Sequence, residues 1–269
     1  MYTLVPLKKT LEITHVITAF DEIRPAGYFF AGEMHDFWEV LYVLEGALTV
    51  TAEERVLSLS RGQLLFHRPM EFHSLRSAED APARVMVVSF CAQGEMMQGF
   101  EGREILLDSQ EEEEYVRTVH TLRRFLQQRN EWDGAMGRAA LEMLLLRLAE
   151  KPAQAPQRSA AADDRLYEQA MRVLNEHCSE PLSLGDVARL CRTSESSLKK
   201  AFAACSGTGV MHCFNSIKIR KAAELLAAGQ SIVQVSDTLS FSSPSYFHTV
   251  FRREMHCTPG EYVRRCRAL

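Results

Sequence analysis

Two stretches near the C-terminal end repeat one mechanical plan, and that plan limits the possible folds more than any other feature. Ser183-Leu-Gly-Asp186 and Ser231-Ile-Val-Gln234 each place a capping hydroxyl with a polar acceptor three residues on. Each opens a short helix, with Val187 and Leu190 as its apolar residues in the first copy and Val235 and Leu239 in the second. A polar turn follows, Arg192–Thr193 in one and Ser240–Ser242 in the other. Ser194 and Ser243 then start a longer helix. Its apolar pairs, Leu198 with Phe202 and Phe247 with Phe251, are four residues apart and so share one buried stripe. Between the copies, residues 210–228 predict a long helix, apolar at Phe214, Ile217, Ala222 and Leu225. Two copies of short helix, tight turn and longer helix predict an all-α domain.

The chain ahead of this repeat follows a different period. Val40–Leu44, Ala47–Thr51, Gln63–Phe66 and Arg84–Phe90 are short, rich in β-branched and aromatic residues, and bounded by Gly, Pro or charged turns. Strands spaced in this way over residues 3–91 favour a barrel or sandwich. Two helical patterns come next, one through Tyr115, Val119, Leu122 and Leu126, the other through Met136, Ala140, Leu144 and Leu148, widened by Leu141 and Leu145. The run KPAQAPQRSAAA at 151–162 has two prolines and no apolar periodicity, which predicts an exposed linker. The expected plan is therefore an α+β two-domain chain. A β-barrel with a helical pair occupies 1–150, a linker 151–162, and an all-α domain with two helix-turn-helix units 163–269.

Charge separates along the same boundary. Residues 163–269 carry 14 Lys+Arg against 11 Asp+Glu, a net +3, whereas residues 1–162 carry 17 against 24, a net −7. Any polyanion contact belongs to the second half, although +3 is within the range of ordinary domains. No apolar run approaches the roughly 18 residues that would span a bilayer, so no membrane role is expected. Residues 1–16 lack the continuous apolar core of a secretory signal. The seven cysteines form no paired framework and no CxxC, which reads as reduced thiols in a cytoplasmic protein. Six of them, Cys178, Cys191, Cys205, Cys213, Cys257 and Cys266, fall in the helical half at mostly apolar positions. They read as small buried hydrophobes rather than thiol sensors.

The stretch SIVQVSDTLSFSSPSYFHTVFRREMHCTPGEY resembles the C-terminal signature of the bacterial AraC/XylS regulators. The shared positions are Phe241, Ser243, Tyr246-Phe247, Phe251, Arg252 and Thr258-Pro259, ending at Tyr262. Ser194 through Leu226 is similar to that family's first unit and central helix, so the resemblance covers about 100 residues at fixed spacings. It implies sequence-specific binding to double-stranded DNA, with both longer helices entering successive major-groove segments. The expected function is an effector-responsive transcriptional activator, not an enzyme, with RNA polymerase as a partner. This chain departs from the family at four places. Ser240 and His256 stand where the family usually has glycine, Lys218 where the central helix has arginine, and Val263 after the final tyrosine. Ser240 and His256 must then accept tight, φ > 0 conformations without the freedom of glycine.

With Leu198 and Phe202 facing inward, the first recognition helix presents Ser196, Lys199 and Lys200 to DNA. The second presents Ser245, Tyr246, His248, Thr249 and Arg252, followed by Arg253. Arg and Lys suit guanine edges or phosphates, and Ser and Thr suit either role. The plain alternative for Lys199, Lys200, Arg252 and Arg253 is a solvated helical face. Small polar side chains on the second helix point to phosphate contacts from His248, Arg252 and Arg253, leaving more of the base reading to the first.

In the N-terminal half, GEMHDFWEVLYVLEG followed by RGQLLFHRPMEFHSL resembles a cupin barrel. Glu33, His35, Glu39 and Gly46 match the spacing of its first motif, with Glu33 in place of the usual histidine, and Gly62, Pro69 and His73 match its second. Strand alternation would put residues 33, 35, 37, 39, 41 and 43 on one face. The expected effector pocket is His35, Phe37, Glu39, Tyr42 and His73. Three readings stay open. The barrel is a ligand pocket without metal, as in most sugar-sensing relatives. Or His35, Glu39 and His73, with or without Glu33, hold a divalent metal such as Zn, Fe, Mn or Ni. Or they are hydrogen-bonded structural residues in a barrel that only dimerises. The aromatics Phe37, Trp38, Tyr42, Phe66 and Phe72 fit core and pocket equally well. A metal-dependent cupin enzyme with an accessory DNA-binding tail is the functional alternative. The two helices at 111–150 need a partner for their stripes, and a symmetric homodimer supplies one as readily as their own barrel does.

Overall fold

A computed structural model describes residues 4–152, 158–159 and 161–267. Among the described residues nine strands come first: β1 (Glu12–Arg24), β2 (Phe29–Glu33), β3 (Trp38–Glu45), β4 (Ala47–Ala52), β5 (Arg55–Ser60), β6 (Gln63–His67), β7 (His73–Ser77), β8 (Ala83–Gln93) and β9 (Glu104–Leu106). They form two antiparallel sheets, ordered β1-β8-β3-β6-β9 and β2-β7-β4-β5. The inner faces interdigitate through Leu41, Val43, Leu48, Val50, Leu57, Leu59, Leu65, Val85 and Val87, all buried. These residues alternate with outward-facing ones along each strand, as a pleated backbone requires.

The outer face of the five-stranded sheet is covered by α1 (Ser109–Gln128) and α2 (Glu131–Glu150). Val40, Tyr42, Phe66, Met86 and Val88 project from the sheet onto Tyr115, Val119, Leu122, Leu141, Leu144, Leu145 and Leu148. Asp108 caps α1 in a reciprocal box with Glu111, and Asn130 caps α2. The two helices approach closely at Gly137, where a Cβ would lie 2.4 Å from Leu122 Cδ2. The predicted stripe through Met136 is corrected here. Leu141, Leu144, Leu145 and Leu148 face the barrel, whereas Met136 is 66% exposed. It joins Trp132, Met143 and Leu146 in a second apolar stripe that faces away from the sheet.

The helical half contains α3 (Ala162–Glu176), α4 (Leu184–Leu190), α5 (Glu195–Cys205), α6 (Val210–Ala227), α7 (Ile232–Thr238), α8 (Pro244–Met255) and α9 (Pro259–Arg267). Of the expected linker, residues 153–157 and 160 lie outside the described residues. Arg158 bridges to Leu57 of β5, and Ser159 donates its N–H to the Val56 carbonyl at 2.9 Å, so this part of it lies along the barrel. The capping boxes read at Ser183 and Ser231 are both present, and Ser194 and Ser243 cap α5 and α8. One core gathers α3, α4, α5 and the start of α6 around Tyr167, Leu198 and Phe202. A second gathers the rest of α6 with α7 and α8 around Leu239, Phe247 and Phe251. Leu190, read as apolar filling for the first unit, is instead 43% exposed at the end of α4.

The two halves meet on the outer face of the four-stranded sheet. Val56 of β5 is buried among α3, α4 and α5 residues. Thr51 and Ser74 both donate hydroxyl hydrogen bonds to the Cys205 carbonyl, at 2.7 and 2.6 Å. Arg76 donates to the Ala204 carbonyl at 2.8 Å and pairs with Asp164 at 2.7 Å. The last turn of a helix has no internal partners for its carbonyls, and here the barrel supplies them. Tyr167 donates to the Glu53 carbonyl, and the Glu53 carboxylate pairs with Arg220 of α6.

Candidate nucleic-acid interface and barrel pocket

Both expected recognition helices expose the side chains read from the sequence. On α5 these are Ser196, Lys199 and Lys200, while Leu198, Ala201 and Phe202 are buried beneath them. On α8 they are Ser245, Tyr246, His248, Thr249, Arg252 and Arg253, over buried Phe247, Val250 and Phe251. Lys200 lies 3.0 Å from Asp163 and Lys199 3.9 Å from Glu195, both solvent-exposed pairs. Exposed pairs of this kind are worth only about 0–1 kcal/mol, so both amines can exchange a carboxylate for a phosphate or base edge at small cost. Arg253 pairs with Glu254, and Tyr246 accepts a hydrogen bond from Asn215 at 3.2 Å.

The turns show what the missing glycines entail. Arg192 in the first unit and Ser240 in the second sit at φ 54° and 50°, and His256 ends α8 at φ 53°. These are left-handed conformations that glycine adopts without strain and other residues adopt at a cost. Ser240 gains partial compensation by donating its hydroxyl to the Ser179 carbonyl at 2.7 Å. Lys218, standing for the family's arginine, is buried and ties the two units together. Its ammonium donates to the carbonyl of Glu180 at 2.9 Å and to that of Leu239 at 2.7 Å, beside the rings of Phe214 and Phe241. Burial pushes its pKa down.

Inside the barrel, a pocket of about 260 Å³ is lined by Thr18, Phe20, Arg24, Tyr28, Phe30, Glu33, Phe37, Glu39, His73, Leu75, Val85, Val87 and Ser89. Of the expected pocket residues, Phe37, Glu39 and His73 line it, and His35 stacks on Phe37 at 3.8 Å beside them. Tyr42 does not belong to it. Its side chain faces the helices, fully buried against Tyr115, and its hydroxyl donates to Glu112. Residue 42 is on the opposite pleat from Glu39 and Leu41, so an odd-numbered lining excludes it. The single-strand alternation expected from 33 to 43 is also corrected. Glu33 ends β2, residues 34–37 form a loop, and only at Trp38 does β3 begin.

Sequence reading missed Arg24, Tyr28, Thr18 and Ser89. Arg24 stacks over the Tyr28 ring at 4.8 Å and pairs with Glu22. Ser89 donates to Glu39 at 2.8 Å and bonds Thr18 at 2.8 Å. The available signal was the two-residue period of β1 and β8, which places 18, 20 and 24 on one face and 85, 87 and 89 on another. Burial pushes the Glu39 carboxyl up, but the His35 and His73 imidazoles beside it prevail and hold it well below the usual carboxylate range. The helical-half thiols go the other way. Burial raises Cys191, Cys213 and Cys257, and burial with Asp164 beside it takes Cys205 to about 12, which fits the inert reading.

Comparison with known proteins fits both halves. A family described as helix-turn-helix domain matches residues 187–265, and the AraC-like ligand binding domain matches residues 19–169. The chain belongs to the AraC family. The RCS-specific HTH-type transcriptional activator RclR of Escherichia coli (strain K12) is 31% identical over 102 residues, 38% of this chain and 35% of that protein. The HTH-type transcriptional activator RhaR of Salmonella schwarzengrund (strain CVM19633) is 23% identical over 247 residues, 87% of this chain and 86% of that one. The chain matches about a third of the length of RclR and of two further regulators. Among solved structures, ToxT from Vibrio cholerae O395 is 15% identical with a TM-score of 0.41, covering 97% of this chain and 100% of that one. These relatives are named as regulators, and the metal-dependent enzyme reading is not favoured. Among the described residues, no helix is long and apolar enough to cross a membrane.

Proposed function

We propose that this AraC-family chain binds paired sites on double-stranded DNA through α5 and α8, and that a small-molecule effector in the barrel pocket changes that binding. The observation that carries the reading is the pair of outward polar helix faces, joined by α6 and the two hydrogen bonds of Lys218. The pocket supplies an apolar body in Phe20, Phe30, Leu75 and Val85 together with polar groups such as Arg24, Glu39 and Ser89. Such a lining suits a small molecule with its own polar handles.

Strand β7 supports the coupling. His73 and Leu75 face the pocket, while Ser74 and Arg76 on the opposite pleat hold the last carbonyls of α5. A shift of this strand on effector binding would bias the placement of the first recognition helix, a population shift between two arrangements. A homodimer forms through the outward stripe of α2. Trp132, Met136, Met143 and Leu146, at steps of four, seven and three residues, share one helix face and are 42–80% exposed, a seam that a second copy would cover. The outcome at a promoter is activation through contact with RNA polymerase, in the cytoplasm where the DNA is.

Selection from a randomised duplex library with the full-length chain tests the central claim. The expected result is an enriched site read in two major-groove segments. Its affinity should fall steeply with salt, by about 0.9 in log–log slope per phosphate contact. Recovery of no preferred sequence would overturn it. Sedimentation of Met143→Glu should give a monomer where the parent chain gives a dimer.

A further inference from the structure

Four potential ligands converge at the pocket from three strands and a loop. Glu33 comes from the end of β2, His35 from the following loop, Glu39 from β3 and His73 from β7. One ligand atom from each lies within 4.8 Å of all the others. Gly32, at φ 95°, makes this possible. A Cβ there would lie 2.6 Å from the His73 carbonyl, so only glycine lets β2 bring Glu33 opposite His73.

The separations are long for hydrogen bonds. His73 Nε2 is 3.3 Å from Glu39 Oε1, and His35 Nε2 is 3.7 Å from Glu39 Oε2. Both imidazole Nε2 atoms are buried with no hydrogen-bond partner, and the two side chains are only 4% and 9% exposed. Orphaned buried polar atoms are rare and need a reason. Ligands held about 2.0–2.2 Å from one tetrahedral ion must stand about 3.3–3.6 Å apart, close to the spacing observed.

The outer contacts agree. His35 Nδ1 faces the Phe37 carbonyl at 3.0 Å and His73 Nδ1 the Glu71 carbonyl at 3.1 Å. A carbonyl only accepts, so each Nδ1 carries a proton, and a cation at the centre would displace the proton that Glu39 otherwise draws onto Nε2 and take its lone pair. Ser89 orients Glu39 by a 2.8 Å hydrogen bond. Two imidazoles and two carboxylates form a borderline N/O set suited to Zn(II) or a neighbouring first-row divalent ion, not to Ca(II) or Mg(II).

We propose that Glu33, His35, Glu39 and His73 bind one divalent transition-metal ion at the barrel pocket. The site rests on side-chain geometry alone, and its test uses no DNA, so its failure would leave the regulatory reading standing. Tag-free full-length protein is stripped with a chelator and titrated with zinc chloride against a chromogenic competitor. The parent chain should take up one equivalent and gain thermal stability. His35→Ala should bind at least 100-fold more weakly and lose the thermal gain while keeping the melting temperature of the stripped parent. Ser89→Ala should weaken uptake about 10–100-fold by releasing Glu39. His73→Ala should lose uptake as His35→Ala does, and if it does not fold, Glu33→Gln at the exposed ligand serves in its place, with uptake weakened about 10-fold. Uptake below a tenth of an equivalent by the parent chain, or equal uptake by parent and His35→Ala, would overturn the assignment.

Discussion

The two helix-turn-helix units share a plan but not a setting. The first is fastened to the barrel. Its α5 ends in carbonyls held by Thr51, Ser74 and Arg76, residues about 130–150 positions earlier in the chain. The second closes on itself, ending α8 at a left-handed His256 and packing around Phe247, Phe251 and Tyr262. An effector signal from the pocket would therefore reach the first unit by direct contact. It would reach the second through α6, by way of Glu53–Arg220 and Lys218, and through Asp36 of the barrel, whose charge acts on Cys257 and Tyr262.

The largest expected effect comes from cutting the fastening. Arg76→Ala leaves Asp164 buried without its cation, which costs about 3 kcal/mol in denaturant unfolding. It should also change DNA affinity more than any substitution in the second unit does. A variant with unchanged stability and DNA binding would make the two units equivalent. The same pair gives a pH dependence. Burial raises the Asp164 carboxyl, but hydrogen bonds from Ser159, Arg76 and Cys205 outweigh that and hold it below the ordinary value. A depressed folded-state pKa gives stability that is complete above the unfolded value of about 3.9 and is lost as pH falls below it. Stability measured from pH 6 to 3 should therefore drop earlier in the parent chain than in Asp164→Asn, where this term is absent.

Lys218→Met should cost about 2 kcal/mol, because two charged hydrogen bonds vanish and both carbonyls lose their donor. Since the amine joins both units, footprints over both half-segments should weaken together, and protection lost on one side alone would show that the tie is not shared. Next in size, Lys200→Ala should lower affinity for the selected site about 10-fold and Thr249→Ala less than 3-fold. The amine is long enough to reach a base edge, whereas the Thr249 hydroxyl already donates to the Ser245 carbonyl at 3.0 Å. Equal losses in a binding titration would remove the asymmetry. Smallest, His256→Gly should stabilise the chain by about 1 kcal/mol by relieving a φ of 53°. Ser240→Gly should stay within about 0.5 kcal/mol, because relief is offset by the lost bond to Ser179. Thermal melts of both variants decide it.

Much of the DNA-binding half was legible because its determinants are local. Capping serines, four-residue apolar steps and the two displaced glycines each act within a turn or two of chain, and the exposed residues of α5 and α8 follow from which neighbours are buried. The barrel was legible as strands but not as a pocket. Glu39 and His73 were within reach, because two motifs placed them. Tyr42 was misplaced because an aromatic next to a pocket residue carries no sign of which pleat it occupies until the strand's start is known. Arg24 and Ser89 were missed because nothing in β1 or β8 distinguishes a pocket-facing polar residue from a solvated one. Met136 was misassigned because α2 carries two apolar stripes, and periodicity cannot say which one meets the sheet.

By itself, the sequence determined two α-helical units joined by a long helix, a strand-rich half ahead of them, and conformations at Ser240 and His256 that glycine would adopt more easily. These follow from backbone sterics and side-chain period, which act between near neighbours. Only the tertiary structure decided that Glu33, His35, Glu39 and His73 converge with two imidazole nitrogens unpaired. Only it showed that one pleated strand has His73 in the pocket and Ser74 on the end of α5. Both depend on sheet register and on docking between segments far apart in the chain, and the local rules of helix and strand do not specify either.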